Sequence, residues 1–150
     1  MEMTNIDDLV PTEDEVEAAV KKLRRNRAGG PSGIRAENIK GWLAAARRGG
    51  AAEEKGKTKT AAEEEGEELW AKVVELTQTA FREGKLAEEA TWQAVVMIPN
   101  GKGEFRGIGL VEVVWKILTL ILHRRLATIK LHDVLHGFRE GRGTGASTVM

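Results

Sequence analysis

Two cations stand among glycines in the stretch IPNGKGEFRGIGL, which covers residues 98–110. Lys102 and Arg106 could hold a phosphate group, because ammonium and guanidinium groups donate charge-assisted hydrogen bonds to phosphate oxygens. Gly101 and Gly103 would let the backbone come close to such a ligand, since no side chain stands in the way. The same glycines are also typical of a hairpin turn that binds nothing. The stretch by itself leaves both interpretations open.

Two glycine-rich segments match known nucleotide-binding motifs only in part. GKGEFRG (101–107) departs from the dinucleotide fingerprint, because Arg106 occupies the third glycine position. GRGTGAST (141–148) lacks the lysine that precedes Ser or Thr in a P-loop. Neither segment predicts one of these two nucleotide-binding folds.

Other candidate catalytic groups are not arranged for catalysis. His123, His132 and His136 could be combined with Asp133 into a metal site, but histidines near a helix end are more typically in ordinary hydrogen bonds. The glutamates mostly populate solvated helix faces, and no carboxylate pair stands out as preorganised. No nucleophile is accompanied by a base. We therefore predict no metal site and no catalytic residue within this chain.

The charges are unevenly distributed although the net charge is zero. The segment from Lys21 to Arg48 contains nine Lys and Arg residues and one acid, Glu37. The segment 102–142 contains eight Lys and Arg residues and four acidic residues. Acidic residues concentrate before Glu17 and between residues 53 and 68. Basic blocks of this kind either form a solvated surface or follow a phosphate backbone.

Length and composition predict one domain. A chain of 150 residues with 41% hydrophobic residues can bury a core. It has no cysteine, no apolar run long enough to span a bilayer and no basic leader at its N-terminus. We expect an intracellular protein without membrane partners, and nuclear and cytoplasmic locations remain equally open.

The hydrophobic periodicity predicts helices and a hairpin. Predicted helices cover residues 13–27, 35–46, 67–83 and 111–129, and predicted strands cover 92–98 and 104–108. The charged segment 47–66 has no large apolar side chain and is expected to be a flexible insertion. Helix 111–129 is apolar nearly all round, so we expect it to be the central buried helix. The predicted fold class is α+β, with helices packed on a small antiparallel hairpin.

Three segments, taken in order, resemble the N-terminal part of reverse transcriptases of the non-LTR retrotransposon and group II intron type. TEDEVEAAVKKLRRNRAGGPSGIRAENIK (12–40) resembles the first helix and glycine turn of that family. TWQAVVMIPNGKGEFRGIGLVEVVWKIL (91–118) resembles its fingers hairpin, and LHGFREGRGTGAST (135–148) resembles the block before the palm. The likeness runs from Pro11 to the end of the chain, apart from 47–66.

The resemblance gives the glycine-rich stretch a role. In the family the fingers hairpin folds over the incoming deoxynucleotide, and an arginine and a lysine hold its triphosphate. Arg106 matches the arginine, while the lysine position after the proline holds Asn100 and leaves Lys102 as a substitute. The predicted nucleotide-binding residues are thus Arg106, Lys102, Gly101 and Gly103. A surface ion pair of Arg106 with Glu104 or Glu112 is the alternative.

The same resemblance implies template contacts by Arg24, Arg25, Arg139 and Arg142. Phe138 could support the template, but a core position is the favoured interpretation for it. The expected partners are an RNA or DNA template and a deoxynucleoside triphosphate.

The catalytic part of such a polymerase is expected to be missing. Family members transfer phosphoryl groups at two magnesium ions held by palm aspartates, one of them in a Tyr-x-Asp-Asp turn. This chain has no tyrosine, and its one Asp-Asp pair is Asp7-Asp8. We therefore expect a fingers-side fragment without palm or thumb, carrying no cofactor itself and inactive alone. The alternatives are a noncatalytic nucleic-acid-binding module and a helical interaction protein that self-associates through exposed apolar surface.

Overall fold

The computed structural model describes residues 9–129, which form five helices and a two-stranded antiparallel hairpin. The order of elements is α1 (Glu13–Lys22), α2 (Ala36–Glu54), α3 (Ala61–Glu83), α4 (Glu88–Thr91), β1 (Gln93–Pro99), β2 (Phe105–Val111) and α5 (Val113–Leu126). The α+β prediction is confirmed. The helices pack chiefly against one another, and the hairpin extends from them rather than forming a sheet beneath them.

Helix α1 begins at a capping box and ends earlier than predicted. Thr12 Oγ1 accepts from the Glu15 N–H, and the Glu15 carboxylate accepts from the Thr12 N–H. The predicted end at Arg27 is wrong, because the helix stops at Lys22. The Lys40 ammonium donates to the carbonyl oxygens of Lys21 and Leu23 over 3.2 and 2.5 Å, which places a positive charge at the carbonyl end of the helix.

Helices α2 and α3 form a long antiparallel pair, and both extend into the segment expected to be irregular. Residues 47–54 continue α2, and residues 61–66 are the first turns of α3, so the predicted helix limits at Ala46 and Glu67 are wrong. A second capping box, between Thr60 and Glu63, starts α3. Alanine, glutamate and arginine favour helix without needing large apolar side chains. The flexibility of 47–66 stays a prediction.

The two long helices approach closely where small residues meet. A Cβ on Gly66 would lie 2.3 Å from the Cβ of Ala45 and 3.3 Å from the carbonyl oxygen of Trp42. Gly66 is therefore required by packing. A hydrophobicity scan cannot detect such a contact, because glycine contributes no apolar side chain.

The core lies where α1, α2, α3 and α5 meet. Its fully buried side chains include Val16, Val20, Ile39 and Ile117. Helix α5 contributes one face only, since Leu122 and Leu126 are 46% and 60% exposed. The helix predicted to be central and buried thus contributes Val113, Ile117 and Ile121 to the core, but its opposite face is uncovered within the described residues. Its limits, Val113–Leu126, are also narrower than the predicted 111–129.

Within residues 9–129, no helix is long and apolar enough to cross a membrane.

Candidate functional site

The glycine-rich stretch forms the tip of the β1–β2 hairpin. Gln93 pairs with Val111 at the base, Ile98 pairs with Arg106, and Pro99 pairs with Phe105 next to the tip. The predicted hairpin is confirmed, and its return strand extends to Val111 rather than ending at Ile108.

Asn100 organises the turn at the tip. Its N–H donates to the Glu104 carbonyl and its side-chain amide donates to the Glu104 carboxylate, both over 3.0 Å. Its side-chain oxygen accepts from the Lys102 N–H at 3.0 Å. Gly101 and Gly103 have φ values of 81° and 80°, a region that glycine adopts without steric cost. Asn100 therefore has a structural role in this turn.

Arg106 is exposed on the β2 strand beside Ile98. The expected alternative, an ion pair with Glu104 or Glu112, is wrong: Glu104 accepts from Asn100, and Glu112 accepts from Ser32. Among the described residues no carboxylate lies within ion-pair distance of Arg106. The guanidinium is thus available to an external anion.

Both faces of the hairpin carry exposed apolar side chains. One face presents Val95, Met97 and Phe105, which are 67%, 57% and 63% exposed. The other face, which Arg106 shares, presents Val96 and Ile98 at 43% and 44%. Within residues 9–129 neither face is covered, so the hairpin offers an apolar ribbon with cations near its tip.

The base of the hairpin is held by the loop that follows α1. Glu112, only 8% exposed, connects β2 to α5. Its carboxylate accepts from the Ser32 N–H at 2.7 Å and from the Ser32 hydroxyl at 2.6 Å. A Cβ on Gly30 would lie 2.7 Å from the Glu112 nitrogen, so only glycine allows this approach. The Ser32–Glu112 contact therefore fixes the junction from which the hairpin extends.

Arg24 and Arg25, the predicted template contacts, have different environments. Arg24 lines a cavity of about 350 Å³ between the end of α1 and the first half of α5, together with Lys22, Arg27 and Lys116. Arg25 does not line that cavity. It lies near Glu37, whose pKa is held below its usual value mainly by a hydrogen bond from the Asn26 N–H, with Arg35 and Arg25 adding charge attraction.

The structure therefore adds some residues to the predicted site and leaves others separate. Lys22, Arg27 and Lys116 join Arg24, although the sequence reasoning missed them. Arg27 was detectable as part of the same basic block; Lys116 was not, because its position depends on how α5 packs against α1. Arg106 lies five residues from the end of β2, about 17 Å along the strand from the hairpin base. The cations of the hairpin and those of the cavity thus belong to different parts of the surface.

Several predicted positions lie outside the described residues, namely Arg139, Arg142, Phe138, His132, Asp133 and His136. Among residues 9–129 no cluster of three or more His, Asp or Glu side chains could hold a metal ion.

A scan against models of known protein families finds no match to this chain, and a search of curated proteins finds none either.

Proposed function

We propose that this chain is the fingers region of an RNA-directed DNA polymerase of the reverse transcriptase type. In this role Arg106 and Lys102 contact the triphosphate of an incoming deoxynucleotide, with Gly101 and Gly103 shaping the tip. Arg24, Arg25, Arg139 and Arg142 contact the template. The proposal joins the likeness of three ordered sequence segments to one observation: Arg106 lies on an extended hairpin and has no ion-pair partner among residues 9–129.

That observation supports the proposal through charge and geometry. A strand restricts where Arg106 can point, and the guanidinium offers a planar set of donors that suits phosphate oxygens. Because Glu104 and Glu112 are bound elsewhere, no internal carboxylate competes for Arg106 among the described residues. A hairpin with these properties can close over a triphosphate from one side.

The chemistry of nucleotide transfer would come from aspartates and magnesium of the complete parent enzyme. The chain has no tyrosine and therefore no Tyr-x-Asp-Asp turn. We expect no metal-dependent DNA synthesis when the chain is added alone to a primer, template and deoxynucleotides. Measurable primer extension would contradict the assignment of the chain to the fingers alone.

Nucleotide binding tests the role of Arg106 directly. Fluorescence anisotropy with a labelled deoxynucleoside triphosphate should show binding that Arg106→Gln weakens about 10-fold or more, because charge-assisted hydrogen bonds contribute about 1.5–3 kcal/mol. Arg106→Lys should weaken binding less, since it keeps the charge but loses the fork. Arg48→Gln removes an exposed cation from α2 and is the control. Equal affinity of wild type and Arg106→Gln would refute the proposal.

A noncatalytic nucleic-acid-binding module is the second candidate, and the cation-lined cavity at Arg24 favours it. Such a module would bind RNA with a strong salt dependence but would show no triphosphate binding that depends on Arg106. The exposed apolar side chains favour a third candidate, a protein that self-associates. Light scattering separates this candidate from the others, because a monodisperse monomer would count against it.

A further inference from the structure

The cavity at Arg24 is part of a longer groove between α1 and α5. A second, much smaller depression of about 10 Å³ adjoins it along the same two helices and shares Lys22 and Leu120 with it. Arg124 lies at the far end of that depression, and Lys116 lines the first cavity. We call the whole feature the basic groove and define it by its five cations, Lys22, Arg24, Arg27, Lys116 and Arg124.

The five cations of the basic groove form no ion pair within residues 9–129, although Glu15 attracts Arg124 at longer range. No carboxylate lies within ion-pair distance of any of the five cations in this part of the chain. Lys116 donates instead to the Ala28 carbonyl at 3.3 Å, which holds its ammonium at the groove. Among the described residues Glu15 is the one acid that lines the groove, and its carboxylate is bound by Arg125. An anion placed here would meet cations and no free acid.

The dimensions and the floor of the groove favour an extended polyanion. Positions 116 and 124 are eight residues apart on α5, which corresponds to about 12 Å along the helix. That length covers between three and four spacings of about 3.4 Å, so about four or five phosphates of a stacked strand fit along it. Between the cations the floor is apolar, with Leu23, Val113 and Leu120, which suits the sugar faces of a nucleic acid strand. A single small anion would use only part of this arrangement.

We propose that the basic groove binds the sugar–phosphate backbone of a single strand of nucleic acid. The identification of that strand as a polymerase template rests on the proposed function, but binding itself does not. The inference adds Lys22, Arg27, Lys116 and Arg124 to Arg24 as backbone contacts. Because the cations contact phosphates rather than base edges, the groove binds the strand independently of its base sequence.

Salt-dependent binding of a labelled single-stranded RNA of about 12 nucleotides tests the inference. Four or five phosphate contacts predict that log K falls with log salt with a slope of about −3, since each contact contributes about 0.7 for a single strand. The double variant Lys22→Gln/Arg27→Gln should reduce the magnitude of this slope by about 1.4. The matched control Arg48→Gln/Arg82→Gln removes two exposed cations elsewhere, on α2 and α3, and should leave the slope unchanged.

The melting temperature separates loss of binding from loss of folding. Lys22 and Arg27 are exposed and form no ion pair among the described residues, so their neutralisation should lower it no more than the control does, in which Arg82 likewise lies in the last turn of a helix. If the groove variant and the control reduce RNA affinity equally while both stay folded, the groove is not the binding surface. Triphosphate binding by Arg106 is measured in a separate assay. The chain could therefore bind the triphosphate without binding RNA in the basic groove, or bind RNA without binding the triphosphate.

Two further ligands test what the groove recognises. A DNA strand of the same sequence should bind with comparable affinity, and loss of binding to DNA would overturn recognition through phosphates alone. Polyglutamate of similar charge should compete weakly, because its carboxylates do not follow the spacing of a phosphate backbone. Tighter binding of polyglutamate than of RNA would overturn the inference in favour of an acidic protein partner.

Discussion

Replacing Ser32 with alanine tests how strongly the loop after α1 holds the junction between β2 and α5. The substitution removes the hydroxyl that donates to Glu112 Oε2 at 2.6 Å and leaves the Ser32 N–H donating to Oε1 at 2.7 Å. It also removes the acceptor of the Ile34 N–H. Hydrogen bonds to a charged group contribute about 1.5–3 kcal/mol, and Glu112 is too buried for water to replace the lost partner fully. We expect the free energy of unfolding to fall by about 2 kcal/mol.

Urea unfolding followed by tryptophan fluorescence measures this change, since the chain has four tryptophans. The melting temperature should fall by about 4–8 °C, because 1 kcal/mol corresponds to about 2–4 °C for a chain of this size. Thr91→Ala is the control: its exposed hydroxyl donates to the Glu88 carbonyl within α4, so its loss should change stability by less than about 0.5 kcal/mol.

A double-mutant cycle with Glu112→Ala decides whether the effect comes from this contact. If it does, the two substitutions together cost less than the sum of the single ones, with a coupling energy of about 1.5–3 kcal/mol. Additive effects would refute the assignment, since they would mean that each residue acts through other neighbours.

Two other predictions concern packing and pH. Gly66→Ala should destabilise the protein by about 1–3 kcal/mol, because the new Cβ would overlap that of Ala45; Gly50→Ala, with nothing within 4 Å of the new Cβ, should stabilise it by about 0.5–1 kcal/mol. Equal effects of the two substitutions in thermal unfolding would contradict the close approach of the helices. Hydrogen bonds from Arg125 hold the pKa of Glu15 below its ordinary value of 4.5. The resulting stabilisation is present above that value and is lost as the pH falls through the lower folded pKa, so Glu15→Gln should flatten the acid limb of a plot of melting temperature against pH. Parallel acid limbs for the two proteins would rule out this contribution.

Local signals in the sequence predicted much of the fold. The start of α1 at Glu13, the end of α3 at Glu83 and the hairpin around Gly101 were predicted correctly, because each depends on a few adjacent residues. Helix limits that depend on distant partners were wrong. Residues 23–27 looked helical, but Lys40 occupies the carbonyl end of α1 at Leu23.

The candidate site was predictable only in part, for the same reason. The position of Arg106 on a hairpin strand followed from the sequence, whereas the capture of Glu112 by Ser32 did not. A pairing between residues far apart along the chain leaves no periodic pattern to detect. Template contacts by Arg24 and Arg25 were expected alike from the resemblance, and only the packing of α1 against α5 distinguishes Arg24 from its neighbour.

The 80 positions between Ser32 and Glu112 have a consequence for the order of folding. Helices α2 and α3 lie between the two residues and need only each other to begin pairing, so we expect them to form early. The hydrogen bonds between Ser32 and Glu112 would form later, because they join distant parts of the chain. On that route Gly66→Ala should slow refolding, whereas Ser32→Ala should chiefly accelerate unfolding. Formation of the Ser32–Glu112 contact would then be the last step of folding, and it would fix the direction in which the hairpin extends.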